Sequence, residues 1–255
     1  MTTVVLTHAI VRPPGASLVN AITPDPTPID VALAQKEHAE YVAALREAGV
    51  QVEILQADER YPDSCFMQDP ALVLDGVAIL NRMGALSRAG EPDLIASMLE
   101  QRFELRRIHA TATIEGGDVL VIGEKLIVGE SGRTNAAGIE QLRAIVEPRG
   151  FQVQSTPVRD FLHLSTAATY AGQGILVVHE DFPQASVFTN LKKIVVPREE
   201  GYAANVLAIG DSVIVPAGYP KTSAQLRAHG FRLLEVPMSE FCKANGGVTC
   251  LSLIW

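Results

Sequence analysis

The chain repeats itself. Residues 118–129 read DVLVIGEKLIVG and residues 205–216 read NVLAIGDSVIVP, with six of the twelve positions identical. Each stretch is a β-run, a tight turn and a second β-run, which is the pattern of a hairpin. A looser copy, ALVLDGVAIL, lies at 71–80 with Asp75-Gly76 at its turn, and a fourth, ATYAGQGILVV, lies near 167–178. Three of these hairpins are followed by a loop and a helix-like stretch: NRMGALSRAGEPDLIASMLEQ, ESGRTNAAGIEQLRAIVEPRG and AGYPKTSAQLRAHG. The unit is hairpin, loop, helix, strand, and it recurs about every 45 residues. The two ends of the chain supply one more. GGVTCLSLIW predicts a C-terminal strand, and TTVVLTHAI predicts its N-terminal partner. Segment 27–49 predicts a helix with Thr27 as N-cap, Pro28 at the first helical position and Asp30 at the third, stopped at Gly49. VQVEIL then gives a strand. Five units fill 255 residues. A unit completed by both chain ends predicts a closed ring of class α/β over residues 1–255, one domain with no linker.

In a ring the strand beginnings converge on the axis. Asp69, Glu115, His163 and Cys250 each stand at or just before the first strand of a unit, at separations of 46, 48 and 87 residues. The last is nearly two periods. The arrangement predicts one central polar site holding a thiol, an imidazole and two carboxylates. A thiolate with a base nearby is a strong nucleophile. A histidine can protonate a leaving amine and then activate water. Two carboxylates beside that pair suit a planar cation held by charge-assisted hydrogen bonds. Attack on the central carbon of a guanidinium would expel an amine through a covalent thiouronium and release a urea-type product. The remaining histidines show no metal-ligand spacing, and Cys65 and Cys242 read as structural.

Composition narrows the partners. Lys plus Arg number 21 against 29 Asp plus Glu, a net charge of -8, which argues against nucleic acid or an anionic membrane as the main partner. The chain is 47% hydrophobic but 5% aromatic, so its core is made of Ala, Val, Leu and Ile. No apolar run approaches the ~20 residues of a membrane span. MTTVVLTHAIVRPPG lacks the basic start and apolar centre of a signal peptide, and three cysteines are too few for a disulfide scaffold. A reduced, cytoplasmic protein is expected.

These residues resemble a known family over essentially the whole length. PDSCFMQDPALV, RMGALSRAGE, IEGGDVLVIGEKLIVGESGRTNAAG, FLHLST, EEGYAANVLAIGDSVIVPAGYPKT and the ending GGVTCLSL are similar to the dimethylarginine dimethylaminohydrolases of the guanidine-modifying, or pentein, superfamily. The resemblance implies a five-bladed pseudo-symmetric α/β propeller. It implies hydrolysis of a methylated arginine to citrulline and methylamine or dimethylamine, with no metal or organic cofactor. It implies Cys250 as nucleophile, His163 as acid and base, and Glu115 as the carboxylate at the guanidine nitrogens. Asp63, Gln68 and Asp69 match substrate-binding positions, and Arg82 and Arg133 match the arginines for the α-carboxylate. Leu18 matches a lid position and Val248 a backbone contact. Gln68 stands where the family commonly has Glu, and Ser165 where it often has Lys, so arginine, another guanidine or a ureido compound such as citrulline remains an alternative substrate. A non-catalytic guanidine binder is a third reading. A homodimer stays open.

Overall fold

The computed structural model describes residues 6–182 and 186–255. The first unit contains β1 (His8–Val11), α1 (Val31–Glu47) and β2 (Gln51–Ile54). The second contains β3 (Ala71–Leu74), β4 (Val77–Leu80), α2 (Asp93–Glu100) and β5 (Glu104–Arg107). The third contains β6 (Val119–Ile122), β7 (Lys125–Glu130), α3 (Ala136–Val146) and β8 (Gln152–Pro157). The fourth contains the single turn α4 (Leu164–Ala167), then β9 (Ala168–Gly172), β10 (Ile175–His179) and β11 (Lys192–Val196). The fifth contains β12 (Leu207–Ile209), β13 (Ser212–Pro216), α5 (Pro220–Ala228) and β14 (Arg232–Val236). The short helix α6 (Ser239–Lys243) leads to β15 (Ser252–Ile254), which completes the first unit.

Each unit carries the same three-stranded sheet. An antiparallel hairpin is joined, through its second strand, to a parallel third strand. In the first unit the chain ends form the hairpin, with Ala9 opposite Ile254 and Val11 opposite Ser252. The Asp75-Gly76 turn is tight because both residues take positive φ, 44° and 77°, as a two-residue hairpin with the strands' own twist requires.

The middle strand of each sheet explains how the units lock together. Ile175 and Val177 of β10 pack with Val213 and Val215 of the fifth unit, whereas Leu176 and Val178 pack with Ile122 and Ile127 of the third. Side chains alternate along a strand, so one strand serves two cores. The same alternation divides Val77 and Ile79 from Ala78 and Leu80 in β4, and Ala9 and Val11 from Ile10 in β1. Among the described residues the five core clusters each bridge consecutive units, and the last joins Ile10 and Leu253 to Met67, Ala71 and Leu80. The cores thus run round a closed cycle. The first strands converge as expected: residues of β3, β6, β9, β12 and β15 line a central, largely apolar cavity of about 410 Å³.

The first helix begins later than the sequence predicts. Asp30, not Thr27, is the N-cap: its Oδ1 accepts from the Leu33 amide at 3.0 Å. The preceding residues are tied instead to α6, where Asp30 N donates to Glu240 Oε2 and Lys243 Nζ donates to Pro28 O. In the fourth unit a 3-10 turn, Ser186–Phe188, lies where other units carry a helix.

Candidate active site

A small cleft of about 50 Å³ lies at the opposite end of the axis from the hairpin turns. Asp63, Asp69, Arg88, Glu115, Arg133, His163 and Cys250 line it, together with Ile22, Pro24 and Phe66. The larger axial cavity holds none of the thiol, imidazole or carboxylate groups expected to react.

Local backbone fixes each group. Glu115 precedes the 3-10 turn Gly116–Asp118 that leads into β6. Its Oε1 accepts from the amides of Gly84 and Ala85 at 2.9 and 3.2 Å, and its Oε2 accepts from His163 Nε2 at 2.8 Å. His163 has an extended backbone just before α4, and Asp118 secures the next peptide by accepting from Leu164 N at 2.9 Å. Asp118 is wholly buried and also takes a 2.6 Å hydrogen bond from Ser131 Oγ. The two glycines between Glu115 and Asp118 answer a demand for space. A Cβ on Gly117 would stand 2.7 Å from His163 Nδ1, and one on Gly116 would stand 2.0 Å from Gln68 O. Asp69 bridges the second and third units through Gly117 N, 2.9 Å from its Oδ1, while its Oδ2 pairs with Arg88 Nη1 at 2.6 Å. Cys250 closes the set: its Sγ accepts from Gly247 N at 3.3 Å, and its carbonyl accepts from Gln68 N at 3.1 Å.

The electrostatics follow from burial opposed by neighbours. Burial works against a charged His163, but Asp69, the Glu115 hydrogen bond and Asp118 outweigh it and raise the ring to about 9. It is an imidazolium at neutral pH. Burial and the charge of Asp69 push the Cys250 thiol up to about 12, against the pull of the Gly247 amide. Burial would raise Asp69 too, yet His163 and Arg88 hold it below its usual value. Burial lifts Asp63 above the usual carboxylate range, with Arg88 and the Ile22 amide opposing. Asp69, Glu115 and His163 offer polar atoms within 4.8 Å of one another. A metal would have to displace the His163 proton from Glu115, and the carboxylates that raise the ring favour keeping that proton.

Four of the expected site residues lie outside the cleft lining. Arg82 is exposed and donates to Ala112 O at 3.3 Å, away from the cleft. Arg88, six residues on, lines the cleft instead, because its guanidinium is claimed from three sides by Asp69, Glu91 and Phe66 O. Burial would lower it, and the two carboxylates hold it charged. Gln68 turns away: its Oε1 accepts from Thr249 Oγ1 at 2.8 Å and its side of the chain lines the axial cavity. Leu18 and Val248 are buried in the core with Cys65 and Phe66, and the cleft wall is made by Ile22 and Pro24 on one side and Ala244–Gly246 on the other. Glu91 was not singled out by the sequence. Its spacing of three from Arg88 was the available clue.

The match to known proteins is broad. The model of the family "N,N dimethylarginine dimethylhydrolase, eukaryotic" matches residues 25–252. The N(G),N(G)-dimethylarginine dimethylaminohydrolase of Pseudomonas aeruginosa is 38% identical over 96% of this chain and 98% of its own. The protein of the same name from Streptomyces coelicolor is 35% identical over 96% and 95%. A cysteine-to-serine mutant of the Pseudomonas aeruginosa enzyme, complexed with citrulline, superposes with a TM-score of 0.96 at 37% identity, covering 98% of this chain and 100% of that one. The N-terminal domain of the cyanobacterial arginine dihydrolase ArgZ shares the fold at a TM-score of 0.88 and 22% identity, covering 98% of this chain and 97% of that one. The chain folds as a five-bladed pentein propeller, and it belongs to the dimethylarginine dimethylaminohydrolase family of hydrolases.

Proposed function

We propose that this hydrolase cleaves the C–N bond of an Nω-methylated arginine, releasing methylamine or dimethylamine and leaving citrulline. One observation carries the reading: a buried thiol shares a cleft with an imidazolium and three carboxylates, Asp63, Asp69 and Glu115. The carboxylates favour a cationic ligand, and the thiol and imidazolium supply the chemistry.

The charges set the order of events. With its thiol near 12, Cys250 is unreactive alone. A guanidinium entering the cleft offsets the charge of Asp69 and favours loss of the thiol proton to solvent. The thiolate adds to the central guanidine carbon. His163 then gives its proton to the departing amine nitrogen, the C–N bond breaks, and a thiouronium remains on Cys250. Neutral His163 takes a proton from water as the water adds to the same carbon. Collapse breaks the C–S bond, restores the cysteine and releases the ureido product. One water enters and one amine leaves. Glu115 holds the ring in line, and Arg133, whose nearest carboxylate oxygen in the ion pair with Glu115 is 3.8 Å away, suits a substrate α-carboxylate. The five interlocked units act as one catalytic domain. Three unpaired cysteines suit a reducing compartment such as the cytoplasm.

The alternative substrates, arginine or a ureido compound, rested on Gln68 and Ser165, and neither lines the cleft. A panel of arginine derivatives with separate detection of amines and ammonia decides the matter. Dimethylamine from dimethylarginine is the expected product. Ammonia from arginine or citrulline at a higher kcat/KM, with dimethylarginine inert, would overturn the assignment.

A further inference from the structure

In the aligned repeats Asn205 stands where Asp118 stands, outside the set of thiol, imidazole and carboxylates at the cleft. The structure gives it a duty. Asp118 reaches across to the fourth unit and holds the peptide after His163. Asn205 reaches across from the fifth unit in a similar way and holds Thr249, the residue before Cys250. Its Oδ1 accepts from Thr249 N at 3.0 Å, and its Nδ2 donates to Thr249 Oγ1 and to Ser165 O, both at 2.9 Å. Thr249 Oγ1 donates in turn to Gln68 Oε1, and Gln68 N donates to Cys250 O. The residue is 4% exposed, and a Cβ on Gly247 would stand 2.3 Å from its amide carbon.

We infer that Asn205 is a positioning residue for the nucleophile: it fixes Thr249, and through it the direction in which Cys250 Sγ enters the cleft. The residue types follow from what each position must do. Asp118 meets two donors, Leu164 N and Ser131 Oγ, so a carboxylate serves. Asn205 meets a donor and a carbonyl together, so only a carboxamide serves. A carboxylate there would face the Ser165 carbonyl and add a negative charge beside a thiol that Asp69 already raises. The same link also touches Ser165, two residues after His163, so one side chain ties the backbones that carry nucleophile and acid.

This inference rests on Cys250 being the nucleophile, and the two ideas fail differently. If Cys250→Ser keeps turnover, the mechanism is wrong. If Cys250→Ser is dead while folded Asn205→Ala keeps kcat within about threefold, the positioning role alone is wrong. The expected result is that Asn205→Asp and Asn205→Ala each lose ~10- to 100-fold in kcat with little change in KM, because the attack geometry is lost while the binding carboxylates stay in place. Alkylation of Cys250 by iodoacetamide at fixed pH should slow most in Asn205→Asp. Thr222→Val removes a buried hydrogen bond to Glu200, neither residue lining the cleft, and should lower the melting temperature without changing kcat. A kcat loss shared by Thr222→Val would reduce Asn205 to a purely structural group. Should the Asn205 variants fail to fold, Thr249→Val tests the same link. It should lose kcat, and Thr249→Ser should restore it. Full activity of Thr249→Val would overturn the inference.

Discussion

The cleft works through charges that none of its residues would hold alone. A histidine in an apolar interior loses its proton, as His38 shows, lowered to about 4 by burial. His163 is as deeply buried and goes the other way because three carboxylates face it. The sign of its effect on stability is therefore fixed. Its folded value lies above the ordinary 6.5, so the charged ring contributes fully below about pH 6.5 and that contribution is lost as pH rises through about 9. The melting temperature of the wild type should fall across that window more than that of His163→Gln, and parallel pH curves would contradict this. The kcat/KM should rise with pH as more thiolate forms and stop rising near pH 9, where the acid loses its proton. The sequence brought Cys250, His163 and Glu115 together because they sit at repeat positions, and all three line the cleft. It did not separate Gln68 from Asp69, for a physical reason: adjacent residues leave the backbone in different directions, one toward Thr249 and one toward Arg88.

Short elements carry the placement. The 3-10 turn Gly116–Asp118 brings Glu115 to the amides of the Gly84–Ala85 loop and leaves room for the His163 ring over Gly117. Gly117→Ala should fold yet lose ~10²-fold in kcat, since the new methyl displaces Nδ1 by more than the reaction tolerates. An unchanged kcat would mean that the ring can shift freely. Hairpins and helices were legible from Gly turns and periodicity, and the structure bears out all five units. The arginine was not: Arg82 and Arg88 lie in one loop, and only the fold of Leu86–Arg88 decides which meets Asp69 and Glu91. The Thr27 cap fails for a similar reason, because Glu240 of a distant helix claims the Asp30 amide and lets the helix start there.

At the scale of the whole molecule, the closed cycle of cores makes stability collective. Ile79 is fully buried between the second and third units, and Ile79→Ala should cost about 2–5 kcal/mol in a single cooperative transition. Removing residues 252–255 deletes β15, opens the ring and should abolish cooperative unfolding. Survival of a sharp transition would show that the units stand without closure. Closure is also what delivers Cys250, at the far end of the chain, to carboxylates from the second and third units. The most direct test of that arrangement is rapid quenching during turnover of dimethylarginine, followed by mass spectrometry of the peptides. The account predicts a transient substrate-derived adduct on the peptide containing Cys250, formed as dimethylamine is released; dimethylamine release with that cysteine unmodified throughout would contradict it.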